Sequence, residues 1–206
     1  MRKEAVVTGG TVSVIIACGL LLTACSSSSP SVGQPTTSST STTTAPDAVY
    51  GTGAAVCRSG DLRLTLGFGV SAASGHNPLS FTLLNTGASP CTLDGYPTVA
   101  LLDAQGGALP FVYTHAGNIM VTASAPQSVF LTPGHVAWFL IDKYRCDLGI
   151  KTTIGGMSFT LPGVTSALTL AAPAEPLLGY CGAGDPGSVV AVSPVEPTLQ
   201  LTQASH

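Results

Sequence analysis

Most of the reactive chemistry in this 206-residue chain rests on six cysteines. Cys25 closes the run Leu22-Thr23-Ala24-Cys25. Before it come an apolar stretch from Thr11 to Leu22 and a cationic start, Arg2-Lys3. A charged start, an apolar middle and small residues before a cut are the parts of a secretory signal. The last four residues match the bacterial lipobox, so Cys25 is expected to become the mature N-terminus with lipid on its sulfur. The apolar run holds about 12 residues, whereas a spanning helix needs about 20. One acyl chain anchors only marginally, at about 0.8 kcal/mol per buried methylene. A diacylglyceryl group with an N-linked chain such as palmitate would hold firmly. The expected location is the extracytoplasmic face of the cell membrane, with the membrane as partner through Cys25.

Cys18 leaves with the signal, and Cys57, Cys91, Cys146 and Cys181 remain. An even count in an exported domain reads as two disulfides, with three connectivities open. Sequential pairing, Cys57–Cys91 and Cys146–Cys181, closes two loops of similar size and is the expectation. Each closure stabilises by about 4 kcal/mol in the chain-entropy picture. A zinc site would need a Cys-x-x-Cys or a close Cys/His pair. The chain has neither, and His76, His115, His135 and His206 are dispersed. Neither a metal nor any other cofactor is expected.

Catalytic motifs are absent from the sequence. There is no Gly-x-Ser-x-Gly elbow, and no P-loop, Gly-x-Gly-x-x-Gly or His-Glu-x-x-His. The protein is therefore expected not to be an enzyme. A hydrolase with a dispersed site is the rival, requiring His76, His115 or His135 to meet a carboxylate and a serine. Without the first 24 residues the chain carries five basic and nine acidic residues, and so offers no basic footprint for nucleic acid. Asp142-Lys143-Tyr144-Arg145-Cys146-Asp147 is the densest charged stretch. Lys143, Tyr144 and Arg145 are read there as a candidate interaction loop, because Tyr and Arg are common interface anchors.

The elements that must hold these residues are strands. Charged residues make up only 8% of the chain against 24 glycines and 15 prolines, and helix-favouring Lys, Glu and Gln are scarce. Ser26 to Pro46 is a Ser/Thr/Pro-rich stretch without charge, read as a disordered spacer. The domain boundaries expected are 1–24, 25–46 and 47–206. Leu62 to Phe68 alternates, which puts Leu62, Leu64, Leu66 and Phe68 inward. Leu79 to Leu83, Val99 to Asp103, Phe111 to Tyr113, Val129 to Leu131, Met157 to Leu161, Leu168 to Leu170 and Leu199 to Leu201 are further strands, with turns between them. Val136 to Ile141 is apolar on both faces. It is read as a central strand between the opposite sheet and a long loop.

Leu83-Leu84-Asn85-Thr86-Gly87-Ala88-Ser89-Pro90-Cys91-Thr92-Leu93-Asp94-Gly95-Tyr96-Pro97-Thr98-Val99 resembles the core motif of an actinobacterial exported family, the domain of unknown function 4232 family. Cys57, Leu131-Thr132-Pro133-Gly134, Cys146 and Cys181 fit its layout, so the resemblance spans about Val56 to Pro194. It implies an exported, disulfide-bonded β domain, often a lipoprotein, and supplies no activity. Gly95-Tyr96-Pro97 reads as a corner between sheets, with a cis Tyr96–Pro97 bond as a further expectation.

Together these point to an all-β, Ig-like antiparallel sandwich of seven to nine strands in a single domain. The function expected is that of a lipid-anchored, non-enzymatic binding module for an unknown envelope protein or ligand. A carrier of an apolar envelope molecule is the other rival, and it would need a continuous apolar cavity.

Overall fold

The computed structural model describes residues 44–173 and 178–205. The signal segment, Cys25 and most of the Ser/Thr-rich spacer lie outside the described residues. Eleven strands follow in order: β1 (Val49–Tyr50), β2 (Leu62–Leu66), β3 (His76–Asn85), β4 (Cys91–Leu93), β5 (Thr98–Leu102), β6 (Val112–Thr114), β7 (Val129–Leu131), β8 (Val136–Tyr144), β9 (Gly156–Thr160), β10 (Leu168–Ala171) and β11 (Val189–Val192). The surplus over the expected number comes from very short strands such as β1.

A five-stranded sheet runs β2-β3-β8-β11-β6, and two three-stranded sheets run β1-β7-β4 and β10-β9-β5. Every pairing is antiparallel except β11 with β6. Side chains alternate across a strand, so each sheet has an inner set. Leu62, Leu64, Phe81, Leu83, Ala137, Phe139 and Ile141 from the large sheet meet Leu93, Val129 and Leu131 from one small sheet and Leu101, Met157 and Phe159 from the other in one core. Phe81 stacks on Phe139 with centroids 4.8 Å apart, and Phe159 tilts against both. The result is the expected sandwich-like fold, with the disulfides Cys57–Cys91 and Cys146–Cys181.

β8 is buried from Val136 through Lys143, and the sequence explains why both its faces are apolar. Ala137, Phe139 and Ile141 enter the main core. Leu140 points the other way and packs with Met120, Val121 and Val70 from loops and with Ala191 of the neighbouring strand β11, a second cluster. The loop covering read from the sequence is what the strand has.

The motif around Asn85 is architectural. Its side-chain amide donates to the carbonyls of Ser89 and Leu131, at 2.9 Å each, and its Oδ1 accepts from Gly87 N. One buried side chain thus closes the β3–β4 turn and ties it to β7. The next motif residues make the corner between the two small sheets, where Gly95 has φ +125°, a conformation that favours glycine. The Tyr96–Pro97 bond is trans, correcting the cis expectation. Gly95 supplies the change of direction, and Tyr96 lies flat on His115 with centroids 3.9 Å apart.

Three other expectations are corrected. β2 ends at Leu66, and Leu66 and Phe68 are exposed rather than inward. At Gly67 a Cβ would stand 2.5 Å from Ser80 Oγ and 2.9 Å from the Trp138 ring. Only a bare backbone passes there, and the chain turns out of the strand. Leu199 to Leu201 is not a strand: Gln200–Thr202 forms a 3-10 turn, since three residues of alternation do not separate the two. β11, absent from the expectation, continues the large sheet beside β8.

Candidate functional site

Bending at Gly67 builds a groove on the outer face of the large sheet. Its floor is two cross-strand rows, Thr65–Thr82–Trp138 and Arg63–Leu84–Val136. Leu66 and Phe68 rise on one side, and Thr44 and Ala45 are on the other. The hollow measures about 540 Å³, and among the described residues Arg63 is its only charged lining residue. Phe68 is 63% exposed, its ring 6.1 Å from the Trp138 indole. Ser80 Oγ donates to the Phe68 carbonyl at 2.5 Å, fixing the backbone that presents the ring.

Part-buried polar contacts hold the rim. Trp138 Nε1 donates to Asp47 Oδ1 at 2.8 Å. Val136 N donates to Pro46 O, and Ala48 N returns the bond to Val136 O, so the chain is fastened to β8 immediately after Ala45. Glu196, 1% exposed, pairs its main chain with Trp138 and accepts the Tyr50 hydroxyl on its carboxylate. Burial pushes the Glu196 carboxyl above its usual range, partly offset by that hydrogen bond. Tyr50 is pushed up to about 12 by desolvation, the hydrogen bond and the Glu196 charge.

The candidate loop Lys143-Tyr144-Arg145 is corrected in part. Asp142, Lys143 and Tyr144 continue β8, and Lys143 is 1% exposed. It sits on the core-facing side of the strand, in line with Phe139 and Ile141, and is withdrawn from solvent. Tyr144 is half-buried and Arg145 exposed, with the guanidinium 5.6 Å from the Tyr144 ring centroid.

Of the three histidines to inspect, only His76 meets a carboxylate among the described residues. Its Nδ1 lies 2.5 Å from Asp142 Oδ2, which also accepts from Asn118 Nδ2 at 2.7 Å. Asp142 is fully buried, and its Oδ1 has no hydrogen-bond partner among the described residues. No serine hydroxyl bonds to His76 among the described residues. His115 stacks on Tyr96, and His135 Nδ1 contacts the Pro133 carbonyl at 3.3 Å. No group of three His, Cys, Asp or Glu side chains lies together among the described residues. No described helix is long and apolar enough to cross a membrane.

Sequence reasoning missed Phe68, Arg63 and the groove as a whole. Gly67 and Gly69 flank Phe68, and glycine inside a strand pattern marks a bend or a close approach. That signal was present.

With this geometry in place, the comparisons with known proteins are narrow. Residues 57–196 match the Domain of unknown function (DUF4232) family, and the chain belongs to it. No curated protein and no solved structure matches the chain.

Proposed function

We propose that the protein is a lipid-anchored binding module of the cell envelope. In this reading it is non-enzymatic, and its groove over Trp138 receives the partner. The observation that carries the proposal is the exposed Phe68 beside Trp138 on an otherwise uncharged floor with Arg63 at one end. An exposed apolar patch with a polar edge is a common form of interaction site. The chemistry suits a ligand with an apolar body and an acceptor or anionic group near Arg63. Thr44 and Ala45 form one wall, so the groove opens where the Ser/Thr-rich spacer joins the domain, within tether reach of the membrane. The inner core is filled by Phe81, Phe139 and Phe159, which favours a surface-binding module over a carrier enclosing its cargo.

The test places a photoreactive benzophenone amino acid at position 68 in cells making the full chain. Position 112, an exposed apolar site on β6 at the edge of the large sheet opposite β2, is the control. A crosslinked species specific to position 68, and diminished by Arg63→Ala, is the expected result. Equal patterns from both positions would reject the groove as the binding site.

A further inference from the structure

Lys143 is buried against a disulfide. Its Nζ is 3.5 Å from Cys181 Sγ and 3.8 Å from Cys146 Sγ. Among the described residues these sulfurs are the hydrogen-bond acceptors the ammonium has. Burial lowers the Lys143 pKa, while the charges of Asp185 and Asp142 oppose that shift.

The two sulfurs are not equivalent. Cys181 is 1% exposed, whereas Cys146 is partly open to solvent. The Cys181 side is packed tightly: a Cβ on Gly187 would stand 2.5 Å from its sulfur and 2.7 Å from the Arg145 carbonyl oxygen. Its backbone N–H donates to Ser188 Oγ. Near the disulfide, Leu148 is almost wholly exposed and lines a hollow of about 420 Å³ with Lys151, Asp185 and the edge of Cys181, so solvent reaches close to the pair while the Cys181 side chain itself stays covered. The other disulfide differs: Cys57 and Cys91 are both buried within the main apolar core. No cationic side chain hydrogen-bonds to either of those sulfurs among the described residues.

We propose that Cys146–Cys181 is a thiol–disulfide exchange site, opened by a dithiol that attacks Cys146, with Cys181 leaving beside the Lys143 ammonium. The attacking thiolate forms a bond to Cys146 Sγ. The Cys146–Cys181 bond breaks, and its electron pair stays on Cys181 as a thiolate facing Lys143. The second thiol of the dithiol, on losing its proton, displaces Cys146 from the mixed disulfide, and the departing Cys146 sulfur takes up a proton. The dithiol is oxidised to a disulfide, and the protein pair is reduced by the same two electrons. A neighbouring cation stabilises a thiolate, and a better-stabilised leaving thiolate departs faster. Cys181 is 1% exposed whereas Cys146 is partly open, so the more exposed sulfur takes the attack and the covered one leaves.

The experiment exposes the folded full chain in detergent to dilute dithiothreitol, quenches with an alkylating reagent and follows all four cysteines by peptide mass spectrometry. Cys146 and Cys181 are expected to label about tenfold sooner than Cys57 and Cys91. Lys143→Met should slow that labelling by about tenfold, and Lys143→Arg should keep it close to the native rate. Simultaneous opening of both disulfides, or opening at the native rate or faster in Lys143→Met, would overturn the proposal. Protection of Cys57 and Cys91 in the same sample reports whether each variant is folded. If Lys143→Met does not fold, the native order of opening and the Lys143→Arg rate decide the matter.

Discussion

Glu196 shows how one side chain sets a pH response. Its carboxyl is buried beside Trp138 and its pKa lies above the ordinary 4.5, so the fold favours the protonated form. A group with a raised folded pKa contributes its full stability below the unfolded value, and that contribution is lost as pH rises through the folded value. Glu196→Gln keeps an acceptor for the Tyr50 hydroxyl without burying a charge. The variant is expected to match the native chain in urea unfolding near pH 4 and to exceed it at pH 8. An equal difference at both pH values would show that Glu196 does not titrate in this way. The site chemistry at this scale was only partly legible. Cysteine number and spacing were enough to expect both disulfides, because the alternatives were few. Lys143 read as solvated because its type favours water, and only the fold shows it lodged against a disulfide.

At the scale of elements, β8 organises the molecule. It pairs with β3 from Val136 to Tyr144 and with β11 on its other side, and it places Phe139 between Phe81 and Phe159. Truncating a buried phenylalanine removes its transfer energy and leaves a cavity. Phe139→Ala is expected to cost about 4 kcal/mol, measured by denaturant unfolding with both disulfides intact. Val112 on β6 is exposed at the sheet edge, and Val112→Ala should change stability by less than about 0.5 kcal/mol. Strands with clean alternation, such as the Leu62 to Leu64 part of β2 and the Phe81 to Leu83 part of β3, were legible because period-two patterning is local. Phe68 continued the same alternation and was misread. The approach of Trp138 and Ser80 to Gly67 ends the strand, and those residues are distant in sequence. β11 was missed because Val189-Val190-Ala191-Val192 is short and follows a glycine-rich loop, so nothing local separates it from the loop's end.

For the whole molecule, the reading depends on a tether. Cys25→Ala in the full chain is expected to abolish incorporation of labelled palmitate and move the protein from the detergent phase to the aqueous phase in Triton X-114 partitioning. Continued partition into detergent would show that lipid on Cys25 is not the anchor. The domain itself carries few charges, and among the described residues loops cover part of the outer face of the large sheet. Val70, Met120 and Val121 pack over Leu140 there, and the groove is an open part of the same face. The exchange site lies around the Cys146–Cys181 disulfide and shares no residue with the groove lining, so binding and redox behaviour are separable by mutation.

The sequence by itself determined the β class, the turn at Asn85, the corner at Gly95 and the number of disulfides. Each follows from local patterning, from backbone preferences or from counting a scarce residue. Only the tertiary structure decided that Phe68 faces out, that Lys143 faces in, and that Asp142 meets His76 and Asn118. These outcomes depend on which distant segments arrive at the same place. Trp138, Ser80, Cys181 and Gly187 are far in sequence from the residues whose fate they set, and a local pattern carries no record of neighbours that only folding supplies.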